Sequence, residues 1–193
     1  MTEYLVLFVS AAIVNNYVLT RFLGLCIFFG VSKSLDASIG MGMAVTAVIT
    51  VSSALAWLVY YLFLLPYQLT SLTIVIFVLL VASFVQLLEM VIKKYMPNLH
   101  KMWGIYLLLI ATNCIALGVP LINVESGFNF LEALVNSFGS GVGFALAIIL
   151  MASLREKLKL ADVPKSLEGL GVAFILAGML ALSFCGFSGM ISL

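Results

Sequence analysis

Two cysteines carry the chemistry that this sequence could perform. Cys26 and Cys114 each begin a short segment, 26–31 and 114–119, and four of the six positions in these segments are identical. Three interpretations of the pair stay open. The cysteines are small apolar packing residues, which is the usual role of a buried cysteine, or they form a disulfide, or they are metal ligands. A disulfide is disfavoured deep inside an apolar chain.

As metal ligands, these two thiols would form an incomplete set. An iron–sulfur cluster usually takes four thiolates, so a second protein chain would have to supply the other two. The third cysteine, Cys185, has no counterpart in the first half of the chain and is left out of the site. The sequence has no nucleotide-binding motif, nucleophile triad or Gly-rich phosphate loop. The chain itself is therefore expected to have no nucleotide-binding site.

The elements that must position these cysteines are membrane helices. Of the 193 residues, 64% are hydrophobic and 9% are charged, and the mean hydropathy is +1.27. A soluble domain is about 45–50% apolar and about 25% charged, so a soluble enzyme, a nucleic-acid-binding module and a disordered chain are excluded. Unbroken apolar runs, rather than alternating strands, predict an all-α polytopic membrane protein in a lipid bilayer.

Six apolar stretches are long enough to span a bilayer as helices. They are residues 4–29, 39–65, 72–92, 102–122, 133–154 and 170–191. The basic residues between them fall in alternate loops, at Lys33, Lys93, Lys94, Lys101, Arg155, Lys157, Lys159 and Lys165. Because basic loops stay on the cytoplasmic side, both termini are predicted to lie on the outer side of the membrane.

The chain is predicted to form a single membrane domain, 1–193, made of two inverted repeats. The first repeat covers 1–97 and the second covers 98–193, and the glycine-containing segments 38–42 and 137–141 also match. Three spans in each repeat make the second repeat enter from the opposite side, so an axis in the membrane plane relates the halves. The alternative is a chance similarity between glycine-rich apolar segments.

Helices 1 and 4 are predicted to be interrupted, since polar and helix-breaking residues lie inside their apolar runs. These residues are Asn15, Asn16, Arg21 and Gly24 in the first span and Thr112, Asn113, Gly118 and Pro120 in the fourth. Gly118 loosens a helix, and Pro120 removes a backbone donor. The amides and Thr112 could cap broken backbone, donate to cluster sulfurs or line an ion path. Arg21 either reaches the cytoplasmic interface or adjoins the metal site, and Gly24 is also expected near the metal site or the ion path.

The chain resembles a known family over its whole length. The resemblance is carried by residues 15–26, 30–33, 112–114, 155–157, 161–164 and 187–189. On these motifs it is similar to the family of A-type subunits of Rnf electron-transport complexes, and to the small membrane subunits of the sodium-pumping NADH:quinone oxidoreductase. One departure is Ile27, where many relatives are expected to carry proline.

The resemblance implies a function that composition does not show. Rnf complexes couple electron transfer between ferredoxin and NAD to translocation of Na⁺ or H⁺. Their A-type subunit pairs with the E-type subunit, a homologue of opposite topology, and the two hold a 2Fe–2S cluster near mid-membrane, here through Cys26 and Cys114. The other partners would be the B, C, D and G subunits. The chain would then be part of a translocase, not catalytic alone, in a bacterial or archaeal cytoplasmic (inner) membrane.

A small secondary transporter without a redox cofactor is the rival interpretation, because transporters also use inverted repeats and broken helices. Its substrate or sodium site would be formed by Asn15, Asn16, Thr112 and Asn113. The symmetric cysteine pair favours the redox function, since a transporter has no need of it. A structural scaffold for redox partners is a second rival. The sequence does not decide between Na⁺ and H⁺.

Overall fold

A computed structural model of the chain describes residues 2–32, 34–67, 72–95, 110, 113–158 and 169–187. Thr112, predicted as a site residue, lies outside the described residues, as does most of the first half of the predicted fourth span. The same holds for four of the basic loop residues, Lys33, Lys101, Lys159 and Lys165.

All regular structure in the described part of the chain is helical. The first half contains α1 (Thr2–Val9), which continues as a π-helical segment (Ser10–Val14), then α2 (Tyr17–Thr20), α3 (Leu25–Val31), α4 (Leu35–Val59), which continues as a second π-helical segment (Tyr60–Leu64), and α5 (Thr73–Tyr95). The second half contains α6 (Cys114–Glu125), α7 (Phe130–Leu158) and α8 (Leu170–Cys185). The prediction of an all-helical chain is confirmed.

Three helices among the described residues are long and apolar enough to cross a membrane. They are Leu35–Leu64, Thr73–Val91 and Phe130–Leu158. Three shorter apolar helices, Thr2–Val14, Cys114–Glu125 and Leu170–Cys185, overlap the other three predicted spans. Each predicted apolar stretch therefore overlaps a helix within the described residues, and the number of six crossings stays a prediction.

Among the helices that the structure describes, α4 and α7 form the largest helix–helix interface. Two glycines allow their close approach, because a Cβ at Gly42 would lie 2.8 Å from the Ala145 Cβ, and one at Gly141 would lie 2.7 Å from the Thr46 Cγ2. Small residues at such crossings let the two backbones meet. The two contacts are reciprocal, since Gly42 precedes Thr46 by four residues, as Gly141 precedes Ala145, and the two pairs match at one offset in the sequence.

The predicted first span is broken at two places, which confirms that helix 1 is interrupted. The π-helical segment ends at Asn15, and α2 begins after Asn16, whose backbone is extended. A second break separates α2 from α3, where Phe22 and Gly24 both have positive φ, at 56° and 84°. Asn16 satisfies the new helix start, because its side-chain oxygen accepts a hydrogen bond from the Val18 N–H at 3.1 Å.

In the second half a helix begins after Asn113, and the expectation of a helix break at Gly118 and Pro120 is wrong. The helix α6 runs from Cys114 to Glu125 through both residues. Proline removes one backbone hydrogen bond, but Pro120 is buried against neighbouring helices, and packing of this kind lets apolar membrane helices tolerate the lost bond. Asn113 has extended backbone and caps α6, so the helix boundary is set by the amide.

One end of the α4–α7 pair carries an aromatic cluster. The Trp57 Nε1–H donates to the Phe128 carbonyl at 3.0 Å. The Trp57 ring stacks on Tyr61 with centroids 4.3 Å apart and meets the edge of Phe130 at 5.2 Å. Trp and Tyr concentrate at membrane–water interfaces, so this cluster is typical of the level at which a helix leaves the bilayer.

Candidate metal centre at two helix starts

The two repeated cysteines lie at the first turns of α3 and α6. Cys26 is the second residue of α3, and Cys114 is the first residue of α6. The two helix starts meet, because the Gly24 N–H donates to the Cys114 Sγ with an N···S distance of 3.1 Å. Consecutive Cα atoms are about 3.8 Å apart, so the Cys26 Cα lies within roughly 12 Å of the Cys114 Sγ.

Both thiols open onto the surface of the chain. Cys26 and Cys114 are exposed free thiols, as is Cys185, whereas the adjacent Ile27 and Ile115 are fully buried. Each helix therefore anchors itself with an isoleucine and presents the neighbouring cysteine outward. This exposure disfavours the interpretation of the pair as core packing residues. It suits a pair of thiols that meet a ligand or a second protein.

Gly24 is the residue on which this junction depends. Its φ of +84° lies in the left-handed region, and a Cβ there would lie 3.2 Å from the Asn113 Oδ1 and 3.2 Å from the Phe144 Cε2. Glycine adopts positive φ without a steric penalty. The missing side chain thus allows the backbone N–H of Gly24 to reach the sulfur of Cys114 and leaves room for the Asn113 amide.

Asn113 has one satisfied polar atom and one that is not. Its Oδ1 accepts a hydrogen bond from the Ile115 N–H at 3.3 Å, which caps α6. The side chain is only 4% exposed, and its Nδ2 has no hydrogen-bond partner within the described part of the chain. An unpaired buried donor costs about 1–3 kcal/mol. A polar donor that the described residues leave unpaired therefore lies next to Cys114.

The predicted residues Asn15 and Asn16 lie at the first helix break and satisfy its backbone. Asn15 closes the π-helical segment, since its N–H donates to the Ser10 carbonyl at 2.7 Å. Asn16 is buried, and its Nδ2 donates to the Gly143 carbonyl at 2.8 Å. The bond to Gly143 joins the break to α7. The Asn16 side chain also caps α2, whereas the bond that closes the π-helical segment comes from the Asn15 backbone.

Arg21 lies in the break between α2 and α3, and its side chain is exposed. Its guanidinium carbon lies 5.7 Å from the centroid of the Tyr17 ring, which is within cation–π range. Within the described residues, the Arg21 guanidinium therefore lies over the Tyr17 ring. The hydrogen bond between Gly24 and Cys114 does not involve Arg21.

Sequence reasoning missed Arg155 as a partner of the Cys26 helix and assigned it only to a basic loop. Its Nη1 donates to the Phe29 carbonyl at 3.0 Å and to the Ser32 Oγ at 2.9 Å. A cation at a helix C-terminus satisfies its last carbonyls and opposes its dipole. Arg155 therefore fixes the end of α3 to α7. No local signal could reveal this contact, because Arg155 and Ser32 lie 123 positions apart in sequence.

A buried polar cluster between α4, α6 and α7 was not predicted from the sequence. The Asn123 Nδ2 lies 2.8 Å from both the Ser53 Oγ and the Ser137 Oγ, and the Asn136 Nδ2 donates to the Asn123 Oδ1 at 2.6 Å. All four side chains are buried. Polar side chains that bond across helices hold membrane helices together. Asparagines inside apolar spans were the only sequence signal for this cluster.

The residues at the junction fit half of an iron–sulfur site. Two exposed thiols of Cys26 and Cys114 lie on helix starts joined by Gly24, and the buried Asn113 amide lacks a partner among the described residues. No group of three or more His, Cys, Asp and Glu side chains that could hold a metal occurs in the part of the chain that the structure describes. A four-thiolate cluster would therefore need two further ligands from another protein chain.

Comparison with known proteins gives matches over the whole chain. Residues 4–191 match the family model "Rnf-Nqr subunit, membrane protein". The chain is 74% identical over 193 residues, 100% of both chains, to the A-type subunit of the proton-translocating ferredoxin:NAD(+) oxidoreductase complex of Clostridium ljungdahlii. It is 50% identical over 182 residues to the A-type subunit of the Na(+)-translocating ferredoxin:NAD(+) oxidoreductase complex of Acetobacterium woodii, covering 94% of this chain and 95% of that one. It is 49% identical over 191 residues, 99% of each chain, to the A-type subunit of the ion-translocating oxidoreductase complex of Erwinia tasmaniensis.

Proposed function

The chain belongs to the Rnf-Nqr family of membrane subunits, and we propose that it carries electrons across part of the membrane through a cluster held at Cys26 and Cys114. It is a subunit of an ion-translocating oxidoreductase complex of the Rnf type, which its relatives' names support at 74% and 49% identity over nearly the whole chain. The rival interpretation as a transporter without a redox cofactor finds no support in these names.

The observation that carries the electron-transfer proposal is the contact between the two cysteine-bearing helix starts. The Gly24 N–H donates to the Cys114 Sγ at 3.1 Å, and Cys26 follows two residues after Gly24. Residues far apart in sequence thus bring two exposed thiols to one region of the surface. A hydrogen bond to a ligand sulfur is also one of the features that tune iron–sulfur sites.

We propose that a 2Fe–2S cluster is shared with a homologous protein of opposite topology, the E-type member of the Rnf complex, which supplies the other two thiolates. When bound, such a cluster supplies one-electron transfer. Cys26 and Cys114 would hold it at the boundary between the two proteins, which accounts for their exposure. The B, C, D and G subunits would carry the flavins and the contacts with ferredoxin and NAD, because this sequence has no nucleotide motif.

The finer architecture is also a proposal, namely six spans in two inverted repeats, 1–97 and 98–193. The reciprocal contacts of Gly42 with Ala145 and of Gly141 with Thr46 support it. A two-fold axis requires that a residue in one half contacts the other half as its counterpart does. The fourth span and the sixth lie partly outside the described residues, and the crossings they would make are inferred from hydropathy.

We place the protein in the cytoplasmic (inner) membrane with both termini outside. Arg155 and Lys157 lie in the last turn of α7, and Lys93 and Lys94 lie in the last turn of α5. Basic residues at these ends favour the cytoplasmic side. The aromatic cluster around Trp57 lies at the other end of the α4–α7 pair, which supports a second membrane interface there.

Cys26 and Cys114 would hold a cluster whose reduction would add negative charge inside a medium of low dielectric, where charges interact strongly. A cation close to the thiols would offset that charge, and this is the physical basis that we propose for coupling to ion movement. The relatives name H⁺ in one complex and Na⁺ in another, so both ions are candidates for this chain. Asn15, Asn16, Arg21 and Thr112 stay predicted members of an ion path or a ligand environment.

The test is the iron content and the paramagnetic signal of the complex. The intact complex would be purified anaerobically and analysed for iron, acid-labile sulfide and electron paramagnetic resonance after reduction. We expect a 2Fe–2S signal that is lost in Cys26→Ser and in Cys114→Ser. The matched control is Cys185→Ser, since Cys185 is also exposed and should leave the signal intact. An active complex that retains the full signal in both site variants would refute the proposal.

A further inference from the structure

We infer that the side-chain amide of Asn113 donates a hydrogen bond to the sulfur-bound group at Cys114 and raises its reduction potential. The inference rests on the cluster site proposed above and assigns a function to a residue next to the ligand rather than to a ligand itself. It begins from the unpartnered Nδ2 atom of Asn113, which is buried within the described part of the chain.

The amide lies beside the junction between Gly24 and Cys114. The Asn113 Oδ1 lies 3.2 Å from the position of a Cβ on Gly24, and the Gly24 N–H is 3.1 Å from the Cys114 Sγ. The Nδ2 is bonded to the same carbon as that oxygen, so the unpaired donor shares the small region that holds Gly24 and the sulfur. Asn113 also directly precedes Cys114 in the chain.

A capping function alone does not explain the amide. Asn16 provides the comparison, because it caps α2 through Oδ1 in the same way and donates its Nδ2 to the Gly143 carbonyl at 2.8 Å. Asn113 caps α6 at 3.3 Å, and its Nδ2 is left without a partner among the described residues. Ser or Asp would cap a helix as well as Asn does, and neither would bury an unpaired NH₂ group.

The direction of the effect follows from charge. Hydrogen bonds to the sulfurs of an iron–sulfur site are among the features that set its reduction potential. A donor interacts more strongly with the reduced form, because that form carries one more negative charge. The Gly24 N–H already donates to the Cys114 sulfur, and the Asn113 amide would add a second donor. Loss of the amide should therefore disfavour reduction.

The first test is the variant Asn113→Ser in the intact, anaerobically purified complex. Serine keeps an oxygen that can cap the Ile115 N–H and removes the amide. In a redox titration followed by electron paramagnetic resonance, we expect the ratio of oxidised to reduced cluster at a given potential to rise about tenfold. This corresponds to a midpoint potential about 59 mV lower for a one-electron couple. The matched control is Asn129→Ser, which removes the amide of an exposed asparagine that directly precedes α7. In this variant the ratio of reduced to oxidised cluster at a given potential should stay within about twofold of the unmodified complex.

A second measurement does not depend on a substitution. The unmodified complex would be labelled with ¹⁵N at the side-chain amide of asparagine and reduced, and pulsed electron paramagnetic resonance would be searched for ¹⁵N coupling to the cluster. A coupled ¹⁵N nucleus supports the hydrogen bond even if the Asn113→Ser complex does not assemble.

The outcomes separate this inference from the proposal on which it rests. An unmodified complex without iron or signal would refute the cluster itself. A complex with the full 2Fe–2S signal, no amide coupling and the same midpoint in Asn113→Ser would refute the inference and leave the cluster proposal standing. Asn113 would then be a helix cap only.

Discussion

The substitution Gly24→Ala should disrupt the junction between the two cysteine-bearing helices. A left-handed backbone costs an L-residue about 1–2 kcal/mol, and Gly24 has φ +84°. The added methyl group would also lie 3.2 Å from both the Asn113 Oδ1 and the Phe144 Cε2. Overpacking in a filled core costs about 1–3 kcal/mol. Together these effects give a destabilisation of about 2–4 kcal/mol. The upper end lies below the full sum of the two costs because the contacts can relax in part.

The matched control is Gly30→Ala in α3, six residues further along the same segment. A Cβ at Gly30 meets no described atom within 4 Å, and alanine in a helix interior is favoured over glycine by about 0.5–1 kcal/mol. The two variants therefore add the same methyl group to the same segment with opposite expected signs. The comparison isolates the backbone conformation and the contacts of Gly24.

The assay is heating of the detergent-solubilised complex, with the fraction of this chain that stays soluble and assembled measured at each temperature. Since 1 kcal/mol shifts the melting temperature of a chain of this length by about 2–4 °C, we expect Gly24→Ala to melt roughly 4–16 °C lower. Gly30→Ala should melt at or slightly above the unmodified complex. If the two variants melt at the same temperature, the reasoning about the junction is wrong.

Three further substitutions test other contacts. Gly143→Ala should weaken assembly of the complex, because its Cβ would lie 2.7 Å from the Ala12 carbonyl oxygen. The control is Gly178→Ala, whose Cβ would have no described atom within 4 Å, and equal yields of assembled complex from the two variants would contradict the packing argument. Asn123→Leu should lower the free energy of unfolding by about 1–3 kcal/mol, because it leaves buried polar partners of Asn123 unpaired. The measurement is thermal aggregation of the complex, and an unchanged profile would mean that the polar cluster is not needed for packing. Arg155→Gln should speed amide hydrogen exchange at the C-terminal turn of α3 about tenfold, since a hydrogen bond to a charged group contributes about 1.5–3 kcal/mol; unchanged exchange in mass spectrometry would exclude Arg155 as the anchor of that turn.

Local features were predictable because they depend on a few consecutive residues. The long apolar runs identified α4, α5 and α7 as candidate membrane helices, since the cost of exposing backbone in lipid forces such runs into helices. The amides of Asn16 and Asn113 marked two helix starts, because a side-chain oxygen two residues before a free N–H is a local cap. The interruption of the first span was predictable for the same reason.

Pro120 shows where local rules fail. Its ring and missing N–H predict a weakened helix, yet α6 continues to Glu125. Packing against neighbouring helices outweighs the loss of one hydrogen bond, and the sequence contains no direct measure of that packing. The tight contact of Gly42 with Ala145 depends likewise on how two distant helices cross.

By itself, the sequence determined the class of the protein, its apolar helices, its helix starts and the two cysteines that could carry chemistry. The resemblance of its motifs further identified the family. Only the tertiary structure decided that Gly24 donates to Cys114, that Arg155 holds the end of α3 and that the amide of Asn113 is buried without a partner among the described residues. The physical reason is range, since hydropathy and capping act over a few residues, whereas a hydrogen bond between distant segments exists only once the packed core has fixed both of its ends.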